Sequence, residues 1–329
     1  MRPTPHALLQ TAGTDALLVS DLTNIRYLTG QHLSAGVLLV LPRKYTLFVD
    51  SRYREGVERV ADGYAVADIG DIADAMKRVG ECGIEASNIT IVRLLNWKRK
   101  FKNTKFLRTY GSVEEFRRRK DPREITALKR ARKMTQELLR RVPLALRTSV
   151  TEEQLARQLL IWALEMGSDG LSFDAIVGFG THTSSPHHRP TSRKLRKGDI
   201  VQIDVGVKYR GYCADMSEVY FTAEPTKEQS RAYDALCEAK EAATDAVVAG
   251  VTNHELDRIA RAVLKREGIE EYFTHSLGHG VGLDIHEGAN ISGRAPKQEI
   301  LKDEVITIEP GVYFPGKWGM RVEDMVFVS

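Results

Sequence analysis

The sequence predicts an α/β domain in residues 1–118 followed by a larger α+β domain with an antiparallel sheet in residues 119–329. Three observations support this. The 329 residues exceed what one typical core holds. The first part alternates short apolar runs with helical patterns, and the second combines well-capped helices with β-rich stretches. The composition, 42% hydrophobic and 28% charged residues, is that of an ordinary globular protein.

Short apolar runs in the N-terminal part indicate strands, and a turn signal at Pro42-Arg43-Lys44 separates two of them. Strands that alternate with helices in this way are typical of an α/β domain. The predicted elements are strands over 15–19, 36–41, 45–49 and 89–92 and a helix over 72–79.

The second domain begins at a helix start, because Asp121 is a good cap and Pro122 suits the first helical position. Later helix starts have capping-box spacing, and glycines stand at the predicted helix ends. The capping pairs are Thr151 with Gln154, Thr226 with Gln229 and Thr252 with Glu255, and the glycines are Gly167, Gly250 and Gly268. Residues 200–221 and 305–328 are β-rich.

The composition also excludes several classes of protein. No apolar run approaches the roughly 18 residues of a membrane span, and no apolar signal segment follows the N-terminus, so we expect a cytoplasmic protein without a membrane partner. Residues 93–147 contain 19 Lys and Arg against 5 Asp and Glu. This segment lacks the interleaved aromatic residues that stack nucleic-acid bases. We therefore expect a solvated helical face or a linker there and no nucleic-acid partner.

Two aspartates lie on either side of a turn signal at residues 209–211. If the turn is Tyr209-Arg210, Asp204 and Asp215 face each other directly. If it is Arg210-Gly211, they lie one pair apart on the diagonal. Both registers put the two carboxylates on one face of the hairpin, with Cβ atoms about 5 to 8 Å apart. Such a pair is costly unless positive charge lies between the carboxylates.

The C-terminal hairpin predicts a second acidic pair. Its turn signal is Pro315-Gly316-Lys317, and a turn centred on Gly316 places Glu309 directly opposite Glu323. A single acid in a strand is usually an ordinary surface residue. Two separate hairpins that each bring two acids together favour a metal site instead.

Four carboxylates and one neutral imidazole carry the charge that two divalent ions would balance. The imidazole is assigned to His279, in the glycine-rich stretch 278–288, because glycine permits close backbone approach. An oxygen-dominated ligand set favours Mn²⁺, with Co²⁺, Zn²⁺ and Fe²⁺ as alternatives. Two such ions about 3.5 to 4 Å apart can activate a water molecule for hydrolysis.

Over nearly its whole length, the chain resembles the pita-bread metallopeptidases, the family of creatinase, aminopeptidase P and prolidase. The matching motifs lie at 20–30, 48–53, 172–177 and 186–190. The resemblance implies an α/β creatinase-like N-terminal domain and an α+β pita-bread catalytic domain with an antiparallel sheet. It also implies proline-containing peptides as substrates, cleavage of the bond between an N-terminal residue and proline, and a homodimer.

The resemblance implies a role for each site residue. The five metal ligands would be Asp204, Asp215, His279, Glu309 and Glu323, with Asp215 and Glu323 bridging the two ions. His187 and His286 would bind and polarise the substrate, His275 would line its primed side, Arg321 would hold an acidic ligand, and Glu309 would shuttle protons. His188 is expected to be a solvated neighbour of His187, and His182 is expected to be an ordinary histidine.

Two positions depart from the family pattern. The usual Thr-Arg-Thr after the second aspartate reads Ser217-Glu218-Val219, and Asn290 stands where dipeptidases often carry an Arg for the substrate carboxylate. The missing cation favours an aminopeptidase for longer peptides over the alternative, an Xaa-Pro dipeptidase. A catalytically silent binding module and a metal-free, creatinase-like hydrolase are both disfavoured, because all five ligands are present.

Overall fold

The structure is a computed structural model that describes residues 2–329. The chain divides into two compact units, Met1–Arg117 and Arg118–Ser329, whose boundary is one residue before the predicted one. Within residues 2–329, no helix is both long enough and apolar enough to cross a membrane.

Unit 1 is built around a six-stranded sheet with the order β4-β3-β2-β1-β5-β6. Neighbours pair in parallel except β1 with β2 and β2 with β3, which are antiparallel. The strands are β1 (Leu17–Val19), β2 (Val37–Leu41), β3 (Lys44–Val49), β4 (Ala65–Asp68), β5 (Glu81–Glu85) and β6 (Lys105–Thr109). The helices are α1 (Pro5–Ala12), α2 (Leu22–Thr29), α3 (Ser51–Val60), α4 (Ile72–Met76), α5 (Ile91–Lys100) and α6 (Glu114–Arg118).

The three strands predicted before residue 50 are confirmed, and the predicted helix over 72–79 is present in shorter form as α4. The strand predicted over 89–92 is wrong. Thr90 caps α5 by accepting a hydrogen bond from the backbone N–H of Arg93, and the apolar side chain of Ile91 is 77% exposed. The apolar run is therefore the exposed first turn of a helix.

Unit 2 combines four helices with short antiparallel strands. The helices are α7 (Pro122–Ala145), α8 (Glu152–Glu165), α9 (Lys227–Asp245) and α10 (Asn253–Arg266). The strands are β7 (Gly170–Leu171), β8 (Ile176–Phe179), β9 (Ile200–Val205), β10 (Val207–Tyr209), β11 (Tyr212–Cys213), β12 (Met216–Phe221), β13 (Gly278–His279), β14 (Asn290–Ile291), β15 (Val305–Ile308), β16 (Gly311–Phe314), β17 (Trp318–Arg321) and β18 (Asp324–Phe327). One apolar core packs α9 and α10 against β15, β16 and β17, and another packs α7 and α8 against β8 and β9.

The predicted helix starts are present. Asp121, Thr151 and Thr226 each form a complete capping box, which satisfies backbone N–H groups that a helix leaves unpaired. Thr252 accepts the cap hydrogen bond from Glu255 N without the reciprocal half of the box. Gly167 and Gly268 lie just past helix ends, whereas α9 ends at Asp245, before Gly250.

The two β-hairpins have registers that the sequence predicts. In the first, Tyr209 pairs with Tyr212 across the turn Arg210-Gly211, whose φ values are 51° and 80°. Positive φ at both residues is what a tight two-residue hairpin turn requires, so the second of the two alternative registers is the observed one.

Candidate metal centre

Asp204 and Asp215 lie on one face of the sheet formed by β9 and β12. Asp204 pairs with Ser217 across these strands, and Asp215 precedes Ser217 by two residues, which returns it to the same face. Their side chains are buried, at 7% and 5% exposure. The structure thus places the two aspartates as diagonal neighbours.

Glu309 and Glu323 occupy a short break in the C-terminal ladder. Ile308 pairs with Asp324, so the next pair in this register is Glu309 opposite Glu323, as predicted. Glu323 is 3% exposed and accepts a hydrogen bond of 3.0 Å from Ser217 Oγ. Ser217 therefore joins the second acidic pair to the strand that carries the first.

His279 lies between members of both pairs. Its Nδ1 is 3.1 Å from the carbonyl oxygen of Gly280 and must donate to it. Its Nε2 is 3.5 Å from Asp215 Oδ2 and 3.5 Å from Glu309 Oε1. Burial lowers the pKa of His279, but these two carboxylates outweigh it and raise the pKa to about 8. The geometry thus favours a cation beside Nε2.

Three buried carboxylates each have an oxygen that no hydrogen-bond donor reaches among residues 2–329: Asp204 Oδ1, Asp215 Oδ1 and Glu323 Oε1. A buried acceptor without a partner is unfavourable, and an ionised one more so. Burial raises the pKa of Asp204 to about 7, against the opposing effect of Arg321, and burial also raises that of Glu323. These oxygens are suited to bind a positive ion.

Arg321 brings a buried guanidinium into contact with this carboxylate cluster. Its Nη2 donates to Asp204 Oδ2, its Nε donates to Ser217 Oγ at 2.9 Å, and its Nη1 donates to the hydroxyl of Tyr313. The backbone N–H of Arg321 also donates to Gln202 Oε1 at 2.7 Å. These bonds hold the guanidinium in one orientation and leave the second oxygen of Asp204 for another partner.

The sequence model of metallopeptidase family M24 matches residues 126–329, more than half of the chain, and that of the Creatinase/Prolidase N-terminal domain matches residues 5–118. The chain belongs to metallopeptidase family M24. Both the creatinase-like N-terminal domain and the pita-bread catalytic domain that the sequence predicts are thereby confirmed.

Individual M24 relatives match along almost the whole chain. A putative Xaa-Pro aminopeptidase from Mycoplasma pneumoniae is 33% identical over 332 residues, covering 98% of this chain and 92% of the relative. The structure of an Xaa-Pro dipeptidase from Bacillus anthracis has a TM-score of 0.95 at 30% identity, covering 99% of this chain and 94% of that one. An X-Pro aminopeptidase from Thermotoga maritima has a TM-score of 0.89 at 30% identity, covering 98% and 94%.

Membership in a metallopeptidase family implies divalent metal ions, and the residues present fit them. Ligand atoms of Asp215, His279 and Glu323 all lie within 4.8 Å of one another. Two of these carboxylates, together with Asp204, have the unpartnered oxygens described above. Carboxylate oxygens with one imidazole are a donor set that binds divalent first-row metals.

Two of the predicted substrate histidines are accessible. His187 and His286 are both exposed. The ring of His286 meets that of His279 edge to face, with centroids 4.2 Å apart. Burial and the neighbouring His279 lower the pKa of His286. A neutral imidazole still donates one N–H, so both residues can bind a substrate oxygen.

His275 differs, because the chain itself uses both ring nitrogens. Nδ1 is 2.8 Å from the carbonyl oxygen of Ser276 and donates to it, and Nε2 is 3.0 Å from the hydroxyl of Tyr313. Burial lowers the pKa of His275 to about 4. It can line a binding site with its ring but has no N–H left to donate to a ligand.

The two departures from the family pattern have different positions. Glu218 follows Ser217 on β12 and so lies on the opposite face of the sheet from Asp204, where burial raises its pKa and the charge of Lys240 partly offsets the rise. Asn290 pairs directly with His279 in the β13–β14 ladder and is exposed. Of these two residues, Asn290 is therefore the one that can affect a substrate bound at the metal centre.

A cluster of three residues, Glu152, His182 and His188, was not predicted from the sequence. His188, expected to be solvated, has a side chain only 13% exposed and lies 2.9 Å from a carboxylate oxygen of buried Glu152. His182 is 2.8 Å from the other oxygen. The expectation of a solvated His188 was wrong, because Glu152, whose carboxylate it contacts, lies 36 residues away along the chain. Its place after Thr151, in the first turn of a helix, is the only local signal.

Proposed function

We propose that this protein is an Xaa-Pro aminopeptidase, which hydrolyses the peptide bond between an N-terminal residue and proline. Two divalent ions, Mn²⁺ as first choice, would bind Asp204, Asp215, His279, Glu309 and Glu323. The observation that carries the proposal is the convergence of unpartnered carboxylate oxygens from two hairpins beside His279. A homodimer and a cytoplasmic location stay predictions of the sequence.

Bound divalent ions would supply a nucleophile from water near neutral pH and offset the negative charge of the transition state. Glu309 would be the carboxylate that moves the proton. It is the least buried of the four acids, with 16% side-chain exposure, and is therefore the most accessible of them to an incoming substrate. It would accept a proton from the attacking water and deliver it to the departing proline nitrogen.

His187 and His286 would bind the substrate by donating hydrogen bonds to the carbonyl oxygen of the scissile bond as negative charge develops on it. Arg321 would keep Asp204 oriented through its contact with Oδ2. The four carboxylates and the guanidinium of Arg321 together carry a net charge of −3. Two divalent ions would therefore give the site a net charge of +1. That charge suits an anionic nucleophile.

The preference for proline rests on the names of the relatives, which include both Xaa-Pro aminopeptidases and Xaa-Pro dipeptidases. The neutral side chain of Asn290 beside His279 supports the aminopeptidase. A dipeptidase would need a cation for the free carboxylate of its substrate. The Xaa-Pro dipeptidase is the second candidate, because an Xaa-Pro dipeptidase and a prolidase have TM-scores of 0.95 and 0.92 with this structure, above the 0.89 of the X-Pro aminopeptidase.

Two measurements test the proposal. Elemental analysis of the purified protein should give about two divalent ions per chain, and fewer in Asp204→Asn or Glu323→Gln. Mn²⁺-loaded protein should cleave Xaa-Pro-Yaa tripeptides with a higher kcat/KM than Xaa-Pro dipeptides, and Xaa-Ala-Yaa poorly. Turnover of dipeptides alone would favour the dipeptidase, and metal-free, inactive protein would favour a binding module on the same fold.

A further inference from the structure

A second cluster of ionisable side chains lies outside the metal ligands and is centred on Glu152. Glu152 is the first residue of α8 and is fully buried. Its Oε1 accepts a hydrogen bond of 2.9 Å from the backbone N–H of Phe179 and lies 2.8 Å from His182 Nδ1. This oxygen thus binds the beginning of the segment 179–191.

The other oxygen of Glu152 binds the end of the same segment. Oε2 accepts hydrogen bonds from the backbone N–H of Thr191 at 2.9 Å and from its hydroxyl at 2.7 Å, and it lies 2.9 Å from His188 Nε2. Five donors therefore converge on one carboxylate. These hydrogen bonds outweigh the opposing effect of burial and lower the pKa of Glu152, so its charged form persists in the interior.

A bound metal ion does not explain this cluster. The backbone N–H groups of Phe179 and Thr191 can only donate, and each already occupies an oxygen of Glu152. The imidazole nitrogens are at hydrogen-bond distance from the carboxylate. Ligands that share an ion at about 2.0 to 2.2 Å in tetrahedral geometry lie farther apart than that. Direct hydrogen bonding by an ionised Glu152 accounts for every contact.

The segment that Glu152 binds carries His187 near its centre. Its other side is also fixed, because Thr183 Oγ1 accepts a hydrogen bond of 2.8 Å from Gly319 N and the carbonyl oxygen of Pro186 lies 3.4 Å from Arg321 Nη1. Strand β17, which holds Gly319 and Arg321, therefore supports one side of the segment. Glu152 ties both of its ends to α8.

We propose that Glu152 is a positioning residue that fixes His187 for catalysis, with His182, His188 and Thr191 as the groups through which it acts. This role rests on the proposed function, in which His187 binds the scissile carbonyl. A carboxylate is needed, because the amide of a glutamine would present N–H groups to one set of donors and leave them without an acceptor. The rate of a reaction is sensitive to shifts of about 1 Å in the groups at the reacting centre.

Hydrogen exchange tests, independently of activity, whether Glu152 holds the segment 179–191 in place. In Glu152→Gln, whichever of the Phe179 and Thr191 amides faces the glutamine NH₂ group should exchange at least about tenfold faster than in the wild-type protein, because its acceptor is lost. The matched control is Glu153→Gln, which changes the exposed neighbour and should leave both rates unchanged. Thr191→Val, a milder change that removes one hydroxyl donor, should shift the rates in the same direction. Unchanged exchange in both variants of the cluster overturns the proposal.

Kinetics then separates positioning from a general structural role. Glu152→Gln should lower kcat/KM for an Xaa-Pro-Yaa peptide about 100-fold in the wild-type background and less than about twofold in a His187→Ala background, because the two residues act as a unit. Glu152→Asp should restore part of the loss. Equal losses in both backgrounds overturn the positioning role. A wild-type protein without activity on such peptides refutes the proposed function. The exchange rates would still show whether Glu152 holds the segment 179–191 in place.

Discussion

Arg321 donates a hydrogen bond to Asp204 Oδ2, and the other oxygen of that carboxylate has no partner among residues 2–329. The arginine therefore satisfies one half of Asp204 and turns the other half towards the metal centre. A second bond, from Arg321 Nε to Ser217 Oγ at 2.9 Å, fixes the guanidinium plane. The orientation of a ligand thus depends on a residue that is not itself a ligand.

Arg321→Lys retains the positive charge but removes the planar fork, so it isolates the effect of geometry. We expect kcat/KM to fall about 10-fold to 100-fold, because outer partners of metal ligands typically contribute this much. The measurement is peptide hydrolysis across a Mn²⁺ titration. Arg258→Lys, at an exposed position on α10, is the control and should behave as wild type. A variant at Arg321 with activity within about twofold of wild type would contradict this role.

Glu323→Gln should have opposite effects with and without metal. In chelator-treated protein at pH 8, we expect a higher unfolding temperature than wild type, because the substitution removes one of several carboxylates that repel one another. Added Mn²⁺ at about 100 times its Kd should stabilise wild type by about 2.7 kcal/mol and the variant by less. Thermal unfolding with and without Mn²⁺ measures both effects.

The control for this experiment is Glu224→Gln, which removes an exposed carboxylate away from the acidic pairs. It should match wild type in both conditions. If Glu323→Gln gained as much stability from Mn²⁺ as wild type, Glu323 would not be a ligand.

The acidic pairs could be predicted from the sequence because hairpin register is a local property. The side-chain period of a strand is two residues, and turn residues such as Gly316, with φ 70°, fix which residues face each other. Charge repulsion then indicates a metal without any tertiary information. The strand predicted over 89–92 is wrong, because an apolar run does not distinguish a strand from a helix turn capped by Thr90.

The supporting residues could not be predicted, because their contacts join distant parts of the chain. Glu152 meets His188 across 36 residues, and Arg321 meets Asp204 across 117. The periodic pattern of a helix or strand gives no information about contacts between residues so far apart in the sequence. The resemblance to relatives supplied Arg321 because it lies in a family motif, whereas Glu152 follows a helix cap and looks like an ordinary residue of a first helical turn.

The ion pair of Lys120 with Glu287 should be needed for stability. The two side chains are 2% and 4% exposed and their charged atoms are 2.7 Å apart. Lys120→Met would remove this cation from a buried carboxylate, and breaking a buried pair in this way typically costs about 3 to 5 kcal/mol. Urea denaturation of Lys120→Met, Glu287→Gln and the double variant measures this. We expect the double variant to be more stable than the sum of the single changes implies, and simple additivity would argue against a direct pair.

The buried Glu85 of unit 1 should make stability depend on pH. Burial raises its pKa from 4.5 to about 7, although it accepts hydrogen bonds from the backbone N–H groups of Ser20 and Asp21. A raised pKa means that the folded state binds the proton more tightly. The stabilisation is therefore complete below pH 4.5 and is lost as pH rises to about 7.

Glu85→Gln should remove this dependence, because glutamine does not titrate. Between pH 4.5 and 7.5 the unfolding free energy of wild type should fall by up to about 3 kcal/mol relative to the variant. Urea denaturation at several pH values gives the difference. Glu81→Gln, at an exposed position on the same strand, is the control. Parallel pH profiles for wild type and Glu85→Gln would show that folding does not change the pKa of Glu85.

Substrate length should depend on Asn290. Cross-strand partners share a face of the ladder, so a side chain at this position lies on the same side as His279. Asn290→Arg would place a guanidinium there, able to form a two-pronged bond with the free carboxylate of an Xaa-Pro dipeptide. We expect kcat/KM for the dipeptide to rise about tenfold or more, with little gain for Xaa-Pro-Yaa, whose carboxylate lies one residue farther out.

Asn290→Gln is the matched control, because it lengthens the side chain without adding charge. It should leave the ratio of dipeptide to tripeptide turnover close to that of wild type, since a neutral amide gains little from a carboxylate that water also solvates. Both variants keep the backbone pairing with His279, so their metal content should equal that of wild type. If Asn290→Arg changed neither the ratio of dipeptide to tripeptide turnover nor the affinity for the dipeptide, the substrate carboxylate would be bound elsewhere. The neutral side chain of Asn290 would then no longer support the aminopeptidase over the dipeptidase.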